Sequence, residues 1–243
     1  AAGRPLPDNR WALYEEYRAH LRATKREQVR ELWRDLDERA SGTRHGQQAV
    51  AQLRERTDEL LRQLAYTQIT DGARDLPRLA RLWWEETATD ADGRHFGAVP
   101  PVDGWADAIT EALLGTGMFV RRGRDLEFLH TTFTEHLAAE QLADRLPDTF
   151  DPASRQWRTA IVAASGRGTH PLSELHRTAL VHYGHRHRTG GQALLDWLQQ
   201  GPFDDQLLAG ELLAARCPAQ DVHHQRFLTA MKVPRGPELE GPA

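Results

Sequence analysis

The sequence runs to 243 residues, 40% of them apolar and 27% charged, with a formal net charge of -4. That length suits two or three small domains with real cores, and the composition excludes an intrinsically disordered chain. The mild acidic balance argues against a dedicated nucleic-acid or membrane-surface binder, since either wants a basic field. The longest uncharged run, Ala112 to Val120, is far short of the roughly 20 apolar residues of a membrane span.

Pro5 and Pro7 precede a strong helical pattern, with Asp8 or Asn9 as the residue that accepts hydrogen bonds from the first free N–H groups. Trp11, Tyr14, Tyr17 and Leu21 fall at helical spacing, and Val29, Leu32, Trp33 and Leu36 continue the stripe. Charges of both signs fill the other face, Asp35 and Arg39 among them at i,i+4. Ser41 to Gly46 predicts a break, after which Val50, Leu53, Leu60, Leu61 and Leu64 mark a second helix. A turn over Gly72 to Pro77 leads into a short helix with Leu76, Leu79, Leu82 and Trp83. A loop follows at Asp90 to Gly93 and Val99 to Pro101, and Asp103 is placed to cap a helix carrying Trp105, Ile109, Leu113 and Leu114.

The one clear β signal comes next. Met118 to Val120 and Leu126 to Leu129 flank Arg121-Arg122-Gly123-Arg124-Asp125, which predicts a hairpin. A helix with Phe133, Leu137, Leu142 and Leu146 in phase starts straight after it. Helix, hairpin, helix is the outline of a winged-helix module. Pro147 to Pro152 reads as a linker. Five short helices then follow, marked by Trp157, Ile161 and Val162; by Leu172, Leu175, Leu180 and Val181; by Leu194, Leu195, Trp197 and Leu198; by Phe203, Leu207, Leu208, Leu212 and Leu213; and by Val222, Phe227, Leu228 and Met231. Their similar spacing suits stacked, HEAT-like helical pairs or a bundle. The expected fold class is therefore mainly α, a winged-helix module with one short hairpin followed by an α-helical domain.

Catalytic spacing is missing. The sequence has no G-x-x-x-x-G-K-[ST], H-E-x-x-H, C-x-x-C or G-x-S-x-G. Gly115-Thr116-Gly117 precedes a strand rather than a helix and so reads as a turn and not a phosphate loop. His182, His185 and His187 cluster, but they cannot share one helical face and no Cys or carboxylate stands at matching spacing, so no metal site is assigned. Arg121, Arg122 and Arg124 on the hairpin could touch phosphates, yet the preceding helix carries Asp107 and Glu111 and no basic residue, which argues against DNA. Cys217, the single thiol, fits a reducing cytoplasm. A start at Ala1-Ala2-Gly3, with neither Met nor an apolar signal, reads as an excised segment.

One stretch carries a resemblance. Phe128-Leu129-His130-Thr131-Thr132-Phe133-Thr134-Glu135-His136-Leu137-Ala138-Ala139 resembles the F-x-H-x-[ST]-F-x-E-[YF]-x-A-A signature that closes the winged-helix domain of NACHT-type STAND NTPases, relatives of the NOD-like receptors. Leu6-Pro7-Asp8-Asn9-Arg10-Trp11-Ala12-Leu13-Tyr14 is similar to the L-P-x-x-R-x-x-L-Y segment of that family's helical lid. His136 departs from the pattern, where the family has Tyr or Phe.

The resemblance implies a helical lid segment over 1–46, a winged-helix domain over 47–146, a helical domain over 147–233 and a flexible tail over 234–243. It implies that His130 senses the β-phosphate of bound ADP and holds the winged helix against an upstream nucleotide-binding core in cis. ATP exchange would release that contact and permit homo-oligomers or partner binding. The phosphate loop and magnesium-binding residues of the family lie upstream, so no ATP hydrolysis is expected from this chain alone; ADP or ATP with Mg belongs to the complete parent. On the residues alone, His130 at a strand-to-helix junction also fits a local cap. Phe128, Phe133, Leu137, Ala138 and Ala139 read as packing residues. The alternatives are a standalone helical scaffold for a protein partner and, third, a DNA-binding winged-helix regulator.

Overall fold

The computed structural model describes residues 9–89, 93, 95, 100–123, 125–166 and 172–232. Pro5, Pro7, Asp8, loop residues 90–92, Val99, Arg124 and the tail lie outside them. The chain is mainly helical with one two-stranded antiparallel hairpin, and it divides into two compact units, Ala1–Arg145 and Leu146–Ala243. No helix among the described residues is long and apolar enough to cross a membrane.

The first unit opens with α1, Arg10–Ala40, whose 31 residues make it the longest element. Asn9 is its cap, accepting from the Ala12 N–H at 2.8 Å. Only Ser41 to Thr43 separate α1 from α2, Arg44–Asp71. The expected break through Gly46 is shorter because the Thr43 hydroxyl accepts from the Gly46 N–H at 3.0 Å and starts the helix early. Gly46 must stay small there, since a Cβ would sit 2.9 Å from the Thr43 Oγ1 and 3.2 Å from the Pro101 carbonyl oxygen.

α3, Leu76–Thr87, starts at Asp75, whose side chain accepts from the Arg78 N–H at 3.1 Å. Its Trp84 is buried edge-on against Trp105 of α4, Trp105–Gly115, with ring centroids 5.0 Å apart. Asp103 does not cap α4. Gly104 holds that position with φ +71° and no side-chain bond, which leaves Asp103 one residue too early.

The hairpin pairs β1, Phe119–Arg122, with β2, Asp125–Phe128, and the register sets Phe119 opposite Phe128 and Arg122 opposite Asp125. The connecting turn is thus two residues long, tighter than the sequence suggested, and Gly123 enters it at φ +66°. The Phe119 and Phe128 rings lie 4.2 Å apart. α5, Thr131–Ala143, follows at once and packs along α2, with Leu137, Ala138 and Ala139 fully buried. Two adjacent alanines let the helix backbones approach closely.

The second unit holds α6, Arg155–Ser165; α7, Ser173–Arg186; α8, Arg188–Gln200; α9, Phe203–Ala214; and α10, Asp221–Lys232. α6 packs on α7, α7 on α8, α8 on α9, and α9 back on α6, while α10 covers α8 and α9. Pro147 to Pro152 is no free linker. The Tyr183 hydroxyl donates to the Asp148 carbonyl at 2.9 Å, the Trp157 N–H donates to the Thr149 carbonyl at 3.1 Å, and the Phe150 ring meets Trp157 edge-on at 5.1 Å. α7 and α8 cross through glycines, where a Cβ on Gly191 would meet the Gly184 Cα at 2.9 Å. Val162, Leu228 and Met231, read as core markers, are exposed, and the buried residue of α10 is His223.

Candidate functional site

His130 sits at the N-cap of α5 in an extended conformation, φ -154° and ψ 140°, directly after β2. Its Nδ1 accepts from the Thr132 backbone N–H at 3.2 Å and lies 2.8 Å from the Thr132 hydroxyl. An imidazole nitrogen that accepts from an amide N–H carries no proton, so the proton of the neutral ring sits on Nε2. That nitrogen has no hydrogen-bond partner among the described residues, and His130 is exposed. The cap therefore favours the tautomer that carries its proton on Nε2 of an exposed ring.

Aromatic packing anchors the helix that carries this donor. Phe133, one turn beyond His130, stacks on Tyr17 of α1 at 4.7 Å and meets Tyr14 edge-on at 5.2 Å. The Phe133 ring also stands edge-on to His130 at 6.4 Å. His136, the departure from the family pattern, is buried. Its ring lies 4.7 Å from Tyr14, and its Nε2 is 3.3 Å from the Glu15 Oε1. The hydrogen bond with His136, then the nearby Arg18, hold the Glu15 carboxyl below its ordinary 4.5, against the opposing effect of burial.

Behind this layer lies a buried ionic cluster. Glu140 of α5 accepts from Arg18 of α1 at 2.9 Å and from Arg62 of α2 at 3.4 Å. The Arg18 and Glu140 side chains are only 9% and 7% exposed. Arg62 also reaches Asp144 at 3.2 Å, and Arg18 lies 3.6 Å from Asp58. One carboxylate thus bridges the three helices. In a low-dielectric interior the attraction within such a set is offset by the cost of desolvating its charges.

Sequence reasoning singled out His130 and passed over this cluster. The signal was present as phase: Arg18 falls on the Trp11, Tyr14, Leu21 stripe, and Glu140 falls three residues after Leu137. A charged residue at an apolar position of each of two helices predicts a buried pair.

The three histidines at the end of α7 and just beyond it do not converge. His182 is buried, the His185 Nε2 is 3.1 Å from the Ala215 carbonyl oxygen, and His187 stacks on Tyr183 at 4.7 Å. The His223 Nδ1 accepts from the Gln220 N–H at 3.0 Å, while His224 is exposed. Among the described residues no group of three or more His, Cys, Asp or Glu is arranged to hold a metal ion. On the hairpin, Arg121 pairs with Glu111 at 2.8 Å and Arg122 with Glu127 at 2.8 Å, so both guanidiniums already face carboxylates. No family model, curated protein or solved structure matches the chain.

Proposed function

We propose that this chain is the regulatory region of a bacterial-type NACHT/STAND NTPase, downstream of the nucleotide-binding core, and that it couples the ADP or ATP state to conformational change and assembly. The carrying observation is the bond from the Thr132 N–H to the His130 Nδ1, which leaves the ring proton on Nε2. This cap leaves one N–H donor of an exposed ring without a partner among the described residues, as a residue that donates to the β-phosphate of ADP requires. Phosphate oxygens accept such a bond, and loss of the contact on nucleotide exchange is a two-state bias. The hairpin flanked by α4 and α5 is the winged helix of this reading, and α1 is the lid helix. The ring of packing among α6, α7, α8 and α9 favours a bundle over an open HEAT-like stack for the following domain.

A charge observation separates this reading from a DNA-binding winged helix. The cations of β1 are paired with Glu111 and Glu127, so a duplex would have to compete with contacts already made. Against a plain scaffold, the testing experiment uses two variants in the complete protein, with release of a fluorescent ADP as readout. Asn is an excellent N-cap, so His130→Asn keeps the helix start and removes the ring donor, whereas His130→Ala removes both. The sensing reading expects both variants to release ADP about tenfold faster or more, given about 1.5 kcal/mol or more for a hydrogen bond to a charged group. Wild-type release from His130→Asn would leave only the cap.

A further inference from the structure

Along α1, Arg26, Arg30 and Arg34 stand four residues apart, all exposed, beside a groove floored by Val29 and Trp33 and walled by Arg54 of α2. The groove is shallow and open to solvent. Its one lining carboxylate, Asp37, holds Arg54 at 2.6 Å, and the Arg54 guanidinium lies over the Trp33 ring at 5.2 Å. Arg30 pairs with Glu27. Arg26 and Arg34 have no ion-pair partner among the described residues. Of the four guanidiniums beside the groove, two are thus paired, and Arg26 and Arg34 remain, among the described residues, as the free cations of this face on a chain whose net charge is -4.

We infer that this groove is a docking site for an acidic amphipathic helix of a partner protein. Charge complementarity and register carry the inference. Guanidiniums four residues apart on a helix are spaced by about 6 Å along its axis. A second helix with Asp or Glu at every fourth position repeats at that same rise, so carboxylates two turns apart meet Arg26 and Arg34, the two that hold no ion pair among the described residues. The half-buried Val29 and Trp33 give the partner's apolar residues a seam between the charges. Arg54 is already fixed by Asp37 and Trp33, so the wall of the groove is ordered before anything binds.

A single-stranded nucleic acid fits less well. The Trp33 face that a base would stack on is covered by Arg54, and Asp37 would face the phosphates. Glu27, Glu31 and Glu38 follow the rim of the same helix by phase, where a protein helix can answer with Lys but a phosphodiester chain cannot. The inference does not depend on a nucleotide role for His130.

Fluorescence anisotropy of the full chain tests it. The probe is a labelled helical peptide of about 20 residues with Glu at every fourth position and Leu along the adjoining stripe. The controls are the same peptide with Gln for Glu and an oligothymidylate of about 20 nucleotides. The Glu peptide should bind saturably, the Gln peptide should not, and Arg26→Ser with Arg34→Ser should weaken binding about tenfold. Both arginines are exposed, so the far-ultraviolet circular dichroism of the variant should match that of the parent. No binding of the Glu peptide, equal binding of the Gln peptide, undiminished binding by the variant or tighter binding of the oligonucleotide would each overturn the proposal.

Discussion

Replacing Glu140 with alanine removes the one carboxylate shared by α1, α2 and α5. Its oxygens take the Arg18 bond at 2.9 Å and the Arg62 bond at 3.4 Å, with the two partners of the shorter bond nearly enclosed. Breaking a buried pair by deleting one partner costs about 3–5 kcal/mol, because a desolvated charge is left behind. Here the residual carboxylates lower that figure. Arg62 keeps Asp144 at 3.2 Å, and Arg18 keeps Asp58 at 3.6 Å and Glu15 at 3.9 Å. Glu140→Ala is therefore expected to cost about 3 kcal/mol, or a fall of roughly 6–12 °C in Tm for a unit of this size. Urea unfolding gives the free energy, and amide hydrogen exchange gives its location. Protection should fall in α1, α2 and α5 and hold in α6 to α9. The double replacement Arg18→Met with Glu140→Leu should recover most of the loss, since no unpaired charge remains. A loss below about 1 kcal/mol for Glu140→Ala, or a double variant weaker than the single one, would refute the reasoning.

Three further outcomes follow from single positions. Gly190→Ala places a Cβ against the Tyr183 hydroxyl that donates to Asp148, so it should cost about 1–3 kcal/mol and loosen the segment before α6 in hydrogen exchange. Glu15 has a lowered pKa in the folded chain, so its contribution to stability is present above its unfolded value of 4.5 and is lost as pH falls through the folded value. Glu15→Gln should flatten the acid limb of a stability-against-pH curve below about pH 4.5. Burial pushes the Cys217 thiol up to about 12, and its Sγ sits where a Cβ on Gly184 would meet it at 2.9 Å. Ellman's reagent should therefore react with Cys217 at the rate at which the second unit opens, and fast labelling of the native chain would contradict this packing.

Much of the fold was legible because its signals are local. Helix periodicity, the Asn9 cap and the hairpin at Phe119 to Phe128 depend on neighbours within a few residues. What escaped depends on distance along the chain. Arg18 and Glu140 are 122 residues apart, and each reads alone as a solvated charge. His136 stood out only as a departure from the motif, yet Glu15 on α1 gives its ring nitrogen a partner. α10 shows the reverse error. Its apolar residues suggested a buried face at Leu228 and Met231, but these are exposed and His223 turns inward, because burial is decided by what α8 and α9 present. His130 was singled out only by the motif around it. Its tautomer was not legible there, since that rests on the Thr132 N–H and the turn of backbone that brings it to Nδ1.

The reading frame upstream of Ala1 tests the central proposal most directly. Sequencing a few hundred codons there should reveal G-x-x-x-x-G-K-[ST] followed by an acidic strand, the phosphate and magnesium elements that His130 would serve. A start codon next to Ala1 with no such loop would contradict the account and leave a helical scaffold with a capped α5.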